Sequence, residues 1–166
     1  MTFGERLAAM RVRVTLPSGL LHAELRGRSE ITIVFEPPTY QRFNEEALED
    51  SLANLARMLW AARTREYYAL LSAAAERDIN SEVESDDQAD TDYREARARL
   101  VVTGKSPDGR ITITARGMHD WKVTIAPGTL AALSEEEFCD QTAAAAAELI
   151  SDQYAQVAAL KADIYQ

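Results

Sequence analysis

Apolar and polar residues alternate in several short stretches of the chain, and each set of stretches is followed by a long helical pattern. In the second half a strand begins near Val102, and residues 111–116 and 121–125 then alternate. Alternation with a period of two residues predicts antiparallel strands that have one apolar and one polar face. These strands are separated by a turn with Pro at its second position, 106–109, and by Gly117, which accepts a positive φ.

The first half of the chain carries the same alternation in three stretches. Its apolar positions are Val12 and Val14, then Leu21, Ala23 and Leu25, and then Ile31, Ile33 and Phe35. The two halves align without a gap at an offset of 90 residues, with fifteen identities between residues 12–70 and 102–160. The identities that shape the backbone are Pro17 and Pro107, Gly19 and Gly109, Gly27 and Gly117, and Pro37 and Pro127. Self-similarity at a fixed offset predicts a duplicated unit.

A long helix is expected after the third strand of each repeat. Asn44 and Ser134 lie at equivalent N-cap positions, and Ser134 with Glu137 makes a capping box. The first-turn acids suit the helix dipole better than acid-base or metal chemistry; they are Glu45, Glu46, Glu135 and Glu136. The apolar stripes, which predict that each helix covers its own sheet, are Leu48, Leu52, Leu55 and Leu59, and Phe138, Thr142, Ala145 and Leu149.

The later turns of both helices stay partly apolar beyond the reach of a three-stranded sheet, given a rise of about 1.5 Å per residue. We interpret these turns as a contact between the repeats or with a second chain, and a cofactor pocket lined by their aromatic residues is the alternative. The candidate interface residues are Met58, Trp60, Tyr67, Tyr68, Ile150, Tyr154, Val157 and Leu160.

The predicted fold class is α+β, with two tandem βββα repeats, antiparallel sheets and long helices in a pseudo-two-fold arrangement. The first repeat spans residues 1–73 and includes a short N-terminal helix, and the second spans residues 96–166. Residues 74–95 hold nine acids and two arginines, so an acidic linker carries most of the formal net charge of -9. This composition is typical of a solvated or disordered connector.

The cysteine content and the hydropathy of the chain bear on its compartment. Cys139 is the only cysteine, which excludes an intrachain disulfide and a cysteine-based zinc cluster and agrees with a reducing compartment. The N-terminal segment lacks the apolar core of a signal peptide, and no stretch approaches the ~18 apolar residues of a membrane span. These features predict a soluble cytoplasmic protein that does not contact a membrane.

Residues 101–153, "VVTGKSPDGRITITARGMHDWKVTIAPGTLAALSEEEFCDQTAAAAAELISDQ", resemble the YbaB/EbfC family of bacterial nucleoid-associated proteins. The likeness lies in a Gly turn before an alternating strand, a second Gly turn, a strand that ends in an Ile-x-Pro step, and an Ala-rich helix opened by acids. The first half resembles the family more weakly.

The resemblance implies a small α+β fold that works as a tight dimer, which the two repeats of this chain would imitate. It also implies binding to duplex DNA with little sequence preference, and neither a cofactor nor a catalytic group. The family has a substantial helix before its sheet, whereas only residues 2–10 precede the first sheet here and the acidic linker precedes the second.

The polar faces of the predicted sheets carry the residues that would contact DNA. Phosphate contacts from arginine, lysine and threonine are non-specific and salt-sensitive, although a solvated antiparallel face has the same composition. The candidate DNA-binding residues are Arg99, Lys105, Arg110, Arg116 and Lys122 in the second repeat, and Arg11, Arg13, Arg26 and Arg28 in the first. The acidic linker would compete with DNA for this face.

No enzymatic activity is predicted. His22 falls on an exposed strand face and His119 in a turn, with neither a nucleophile elbow nor a phosphate-binding glycine loop nearby. Asp108 and Asp120 are explained as turn residues. Two functions remain: a nucleoid-associated DNA-binding protein without cofactor or metal, and a non-catalytic protein-interaction or accessory module that kept the fold but lost DNA binding. A protein partner or self-association would use the long helices.

Overall fold

The computed structural model describes residues 2–75 and 87–166. The strands are β1 (Arg11–Thr15), β2 (Leu21–Arg26), β3 (Glu30–Phe35), β4 (Val101–Lys105), β5 (Ile111–Arg116) and β6 (Asp120–Ile125). The helices are α1 (Phe3–Ala8), α2 (Glu45–Ala75), α3 (Gln88–Arg99), α4 (Thr129–Ala132) and α5 (Glu135–Ile164), with a 3-10 helix at Thr39–Arg42.

The strands form two three-stranded antiparallel sheets, in the orders β1-β2-β3 and β4-β5-β6. Every strand of the first sheet begins 90 residues before its counterpart in the second sheet. The strand register is also the same, since Leu25 lies opposite Ile31 and Ala115 lies opposite Trp121. The layout confirms the predicted α+β fold with two tandem βββα repeats.

The alternation in the sequence corresponds to burial in the structure. In β2 and β5 the apolar positions are buried and the polar positions between them reach the surface. The turns after these strands place Gly27 at φ +59° and Gly117 at φ +62°, which confirms the positive φ expected at Gly117. One face of each sheet is therefore apolar and the other polar, as predicted.

The starts of the long helices also agree with the sequence. The Asn44 side chain accepts a hydrogen bond from the amide of Ala47 at 2.7 Å. Ser134 and Glu137 form the predicted capping box, with hydrogen bonds of 3.1 and 2.9 Å. Both predicted apolar stripes are buried: Leu48, Leu52, Leu55, Leu59, Phe138, Thr142, Ala145 and Leu149.

Each long helix packs on both sheets, so the prediction that each helix covers its own sheet is incomplete. α2 contacts β1 and β2 of its own repeat and β6 of the other, while α5 contacts β4, β5 and, across the repeats, β3. The physical reason is length. The 31 residues of α2 extend for about 46 Å, whereas three strands spaced about 4.8 Å apart cover much less. The two repeats consequently share one hydrophobic core.

Polar contacts also join the two repeats. The Tyr40 hydroxyl donates to the carbonyl of Leu133 at 2.8 Å, and burial raises the pKa of Tyr40 to about 12. Near the start of α2, the Glu49 carboxylate accepts from the amide of Ile125 at 2.7 Å, and Glu45 accepts from the amide of Leu130 at 3.3 Å. Glu45 thus has a partner in the other repeat in addition to its favourable place in the helix dipole.

The structure adds a helix before the second sheet that the sequence did not predict. α3 covers residues 88–95 of the segment interpreted as an acidic linker, and the Asp87 side chain caps its start by accepting from the amide of Ala89 at 2.9 Å. α3 packs on α5 and buries Tyr93, so a helix does precede the second sheet.

Residues 76–86 lie outside the described residues, and so does the hypothesis that the linker competes with DNA. Within the described ranges, no helix has both the length and the apolar character needed to cross a membrane.

Candidate nucleic-acid face and a basic cavity between the helices

The outer face of the second sheet carries three exposed cations, Lys105, Arg116 and Lys122. Lys105 lies opposite Thr112 in the β4–β5 register, and Lys122 lies opposite Thr114 in the β5–β6 register. Arg116 lies opposite Asp120, the one acid on this face. In the part of the chain that the structure describes, no ion pair within 4.0 Å involves any of the three cations. The strands thus place three cations among threonines on one solvent-exposed surface.

The outer face of the first sheet has a different electrostatic character because Glu24 lies at its centre. The Glu24 carboxylate is 2.7 Å from Nε of Arg11 and 3.2 Å from Nη2 of Arg26. The hydrogen bond from Arg11 lowers the pKa of Glu24, so this carboxylate stays charged. Arg13 on β1 is exposed and has no ion pair among the described residues. Two of the four predicted arginines of this repeat therefore share one carboxylate, which offsets one of their two charges.

Three predicted DNA-binding residues lie off the outer faces of the sheets. Arg99 is the last residue of α3 and lies 3.7 Å from Glu95. Arg110 lies in the turn before β5, 3.9 Å from the Asp108 carboxylate. Arg28 lies in the turn after β2, with its guanidinium 4.2 Å from the centre of the Tyr154 ring. The positive φ of Gly27 reverses the chain there, so Arg28 cannot continue the face that Arg26 occupies.

The residues considered for acid-base chemistry mostly have local structural partners. Asp108 accepts from Ser106 Oγ at 2.7 Å and from the amide of Arg110 at 3.0 Å, and its pKa is lowered because these hydrogen bonds outweigh its desolvation. His22 is 2.8 Å from Thr15 Oγ1 through Nδ1 and 2.9 Å from Glu36 through Nε2. This chain of three groups lies on the surface, and residues 105, 112 and 126 do not repeat it in the second half.

A cavity of about 540 Å³ lies among α1, α2, α3, α5 and the turn after β2. Five of the eight residues predicted as an interface line this cavity: Trp60, Tyr67, Tyr68, Tyr154 and Val157. Of the other three, Ile150 is buried in the shared core, Met58 packs against that core, and Leu160 is half-buried. The aromatic residues of the two helices therefore meet at a cavity between the repeats.

Cations line the same cavity: Arg28, Arg63, Arg97 and Lys161. Among the described residues that line it, none is Asp or Glu. The guanidinium of Arg63 lies 4.7 Å from the centre of the Trp60 ring and 4.8 Å from that of Tyr67, and Lys161 Nζ lies 5.7 Å from the Tyr93 ring. These distances fit cation–π contacts, which hold the cations against the aromatic walls.

Two residues of the cavity wall each have a buried side-chain atom without a hydrogen-bond partner. The atoms are Nε of Arg63 and Oε1 of Gln153, and they are the only buried side-chain nitrogen or oxygen atoms in this condition within residues 2–75 and 87–166. Gln153 is only 3% exposed. The other end of the Arg63 guanidinium donates to the Tyr154 hydroxyl at 3.2 Å. Arg63 and Gln153 are 90 residues apart and thus occupy the same position in the two repeats.

Four cavity residues do not follow from the sequence-based prediction of the interface: Arg63, Gln153, Arg97 and Lys161. A signal for the first two was present. Arg63 lies three residues after Trp60 and four before Tyr67, and Gln153 lies at the same steps between Ile150 and Val157. A polar residue at an apolar position of a helix, repeated in both halves, indicates a buried polar group.

Comparisons with protein-family models, with curated proteins and with solved structures found no match to this chain. The likeness to the YbaB/EbfC family therefore depends on the sequence features of residues 101–153 alone. Among the described residues, no group of three or more His, Cys, Asp or Glu is arranged to hold a metal ion. Two features of the structure bear on the function: the outer face of the second sheet and the cavity between the helices.

Proposed function

We propose that the protein binds duplex DNA with little sequence specificity, in the manner of a bacterial nucleoid-associated protein of the YbaB/EbfC type in the cytoplasm. The observation that supports this most is the outer face of the second sheet. Lys105, Arg116 and Lys122 are exposed there, and none has an ion pair among the described residues. Threonines lie between them and add hydroxyl donors for phosphate oxygens.

The expected strength of this binding follows from the number of cations. Each phosphate that a cation neutralises releases condensed counterions and contributes about -0.9 to the slope of log K against log salt concentration. Three cations give a slope of about -3, which corresponds to weak, non-specific binding. The paired arginines of the first sheet add less, because the Glu24 carboxylate holds both guanidinium groups and offsets one of their two charges. The second sheet is therefore the principal DNA surface in this proposal.

The alternative is a protein-interaction or accessory module that kept the fold and does not bind DNA. Two apolar side chains on the outer faces favour it: Val34 is 45% exposed and Val101 is 52% exposed. The excess of acids, with a formal net charge of -9, also opposes a close approach to DNA. The two functions differ in what the outer face of the second sheet contacts.

The test compares two triple variants with the same change in net charge. Lys105, Arg116 and Lys122 are replaced by Glu in one variant, and the exposed Arg42, Arg57 and Arg65 are replaced by Glu in the control. Fluorescence anisotropy with a labelled duplex is measured at about 50 mM salt, where the affinity of non-specific binding is higher than at physiological salt. We expect the first variant to lose binding and the control to keep most of it. Equal loss in both variants would instead indicate an effect of net charge alone.

A further inference from the structure

The cavity between the helices has a wall of mixed chemistry that the proposed DNA surface does not use. Its volume of about 540 Å³ lies within the range of small-molecule sites in proteins. The walls come from both repeats, with Trp60 and Tyr67 on α2 facing the same space as Tyr154 on α5. The major groove of duplex DNA alone is about 12 Å wide, so a duplex cannot enter such a space.

Arg63 and Gln153 each have an unpartnered polar atom that a ligand in the cavity reaches when the side chain turns towards it, since both atoms are buried in the structure. A polar group that is buried without a partner is unfavourable, and such groups are rare in folded proteins. Gln153 presents its amide oxygen, which can only accept, and Arg63 presents Nε–H, which can only donate. Both residues line the cavity. A ligand that satisfies them carries an acceptor for Arg63 and a donor for Gln153.

The charge and the aromatic rings of the wall narrow the class of ligand further. Arg28, Arg63 and Lys161 bring positive charge to the cavity, and no Asp or Glu lines it among the described residues. An anionic group is therefore favoured over a cationic one. The rings of Trp60, Tyr67 and Tyr154 each have an arginine guanidinium over one face. These rings and the planar guanidinium groups together form flat surfaces on which a planar group can stack.

We propose that this cavity binds a small planar organic anion, namely an aromatic ring that carries a phosphate, sulfonate or carboxylate group. The anionic group accepts from Arg63 Nε–H and lies in the field of Arg28 and Lys161. The ring stacks on the aromatic walls, and a hydroxyl or amino group on the ligand donates to Gln153 Oε1. Because α2 and α5 contribute equivalent residues, the site forms only when the two repeats are joined.

The binding test uses probes that separate the ring from the anion. 5′-AMP carries both, adenosine has only the ring system, and ribose 5-phosphate has only the anion. Anilinonaphthalene sulfonate is a second ring with an anion and is unrelated to nucleotides. By calorimetry and fluorescence on the whole chain, we expect at least one of the two ring anions to bind with a Kd about tenfold or more below that of adenosine and of ribose 5-phosphate.

Three variants connect binding to the cavity. Arg63→Met and Gln153→Leu each remove one unpartnered atom, and Arg65→Met removes an equal charge from the exposed side of the same helix. We expect the first two to weaken binding about tenfold or more and the third to leave it unchanged. The Tm of Gln153→Leu without probe should stay the same or rise, because an apolar side chain replaces an unsatisfied polar atom. Arg63→Met also removes the hydrogen bond to Tyr154 and the contacts with Trp60 and Tyr67, so its Tm should fall slightly.

Two results would overturn the proposal. One is an absence of binding by both ring anions up to about 1 mM, the weak end of the affinity scale. The other is binding that responds to Arg65→Met as much as to Arg63→Met, or that responds to neither cavity variant.

Discussion

Phe35, at the end of β3, lies against Phe138, in the first turn of α5, with ring centroids 5.9 Å apart and an interplanar angle of 62°. The two residues belong to different repeats, and both are almost completely buried. Tyr40 joins the pair, with its ring 5.1 Å from Phe35 and 5.8 Å from Phe138. This aromatic cluster joins the end of one sheet to the helix of the other repeat.

We therefore expect the two repeats to unfold as one cooperative unit. The variants Phe35→Leu, Phe138→Leu and their combination should show a coupling free energy of about 0.5–1.5 kcal/mol in a double-mutant cycle, as buried aromatic pairs do. Urea unfolding followed by circular dichroism and by tryptophan fluorescence should give one coincident transition. Two separate transitions, or strictly additive effects of the two substitutions, would contradict a shared core.

Gly104 allows β4 to approach α5 closely. A Cβ built at this position overlaps the main chain of α5 at Ala145 and Leu149. Gly104→Ala should lower the free energy of unfolding by about 1–3 kcal/mol or more, since neither backbone can move freely. Thr103→Ala, at the neighbouring exposed position, serves as the control and should change stability by no more than about 0.5 kcal/mol. Equal stability of the two variants in urea titrations would exclude this close approach.

Glu24→Gln should strengthen DNA binding. The substitution removes the carboxylate that pairs with both Arg11 and Arg26, and it frees two cations for phosphate. We expect a severalfold lower Kd and a salt slope that is steeper by as much as about 1.8, at about 0.9 per cation. Glu30→Gln removes one negative charge from the same sheet and releases no arginine, so it should have a smaller effect. If both variants behave alike, the ion pairs of Glu24 do not limit binding.

Cys139 should react slowly with thiol reagents in the folded protein. Burial raises the pKa of this thiol to about 12, so the reactive thiolate is scarce at about pH 8. Ellman's reagent should react much faster after urea unfolding. Because the pKa of the thiol in the folded protein lies above the unfolded value of about 9, the neutral thiol contributes its full stability below about pH 9. This contribution is lost as the pH rises from about 9 to about 12. Rapid native reaction at about pH 8 would show that the thiol is not packed as described.

The fold could be predicted from the sequence in those parts where local pattern determines structure. The alternation around Ile113 and Val123, the leucines of α2 and the capping box at Ser134 each have a local physical cause, and the structure confirms them. The shared core could not be predicted in this way. A stripe of leucines shows that one face of a helix is buried, but it does not show which sheet covers that face.

The remaining differences also have physical causes. α3 is mostly polar and is stabilised by its Asp87 cap and by Tyr93 against α5, so the sequence offers no apolar period for it. Arg28 was expected beside Arg26 on the sheet, but the turn at Gly27 directs it to Tyr154, 126 residues further along the chain. The cavity depends on such distant contacts, which explains why its residues could not be assembled from sequence spacing alone.

The most direct test of the central claim measures the affinity of the whole chain for duplex DNA as a function of salt concentration. Fluorescence anisotropy with two unrelated duplexes, from about 50 to about 200 mM salt, should give micromolar Kd values that are similar for both sequences at the lower salt concentration. The slope of log K against log salt concentration should be about -3, for the three cations of the second sheet. Absence of binding at about 50 mM salt, or an affinity that does not change with salt, would contradict the proposed function.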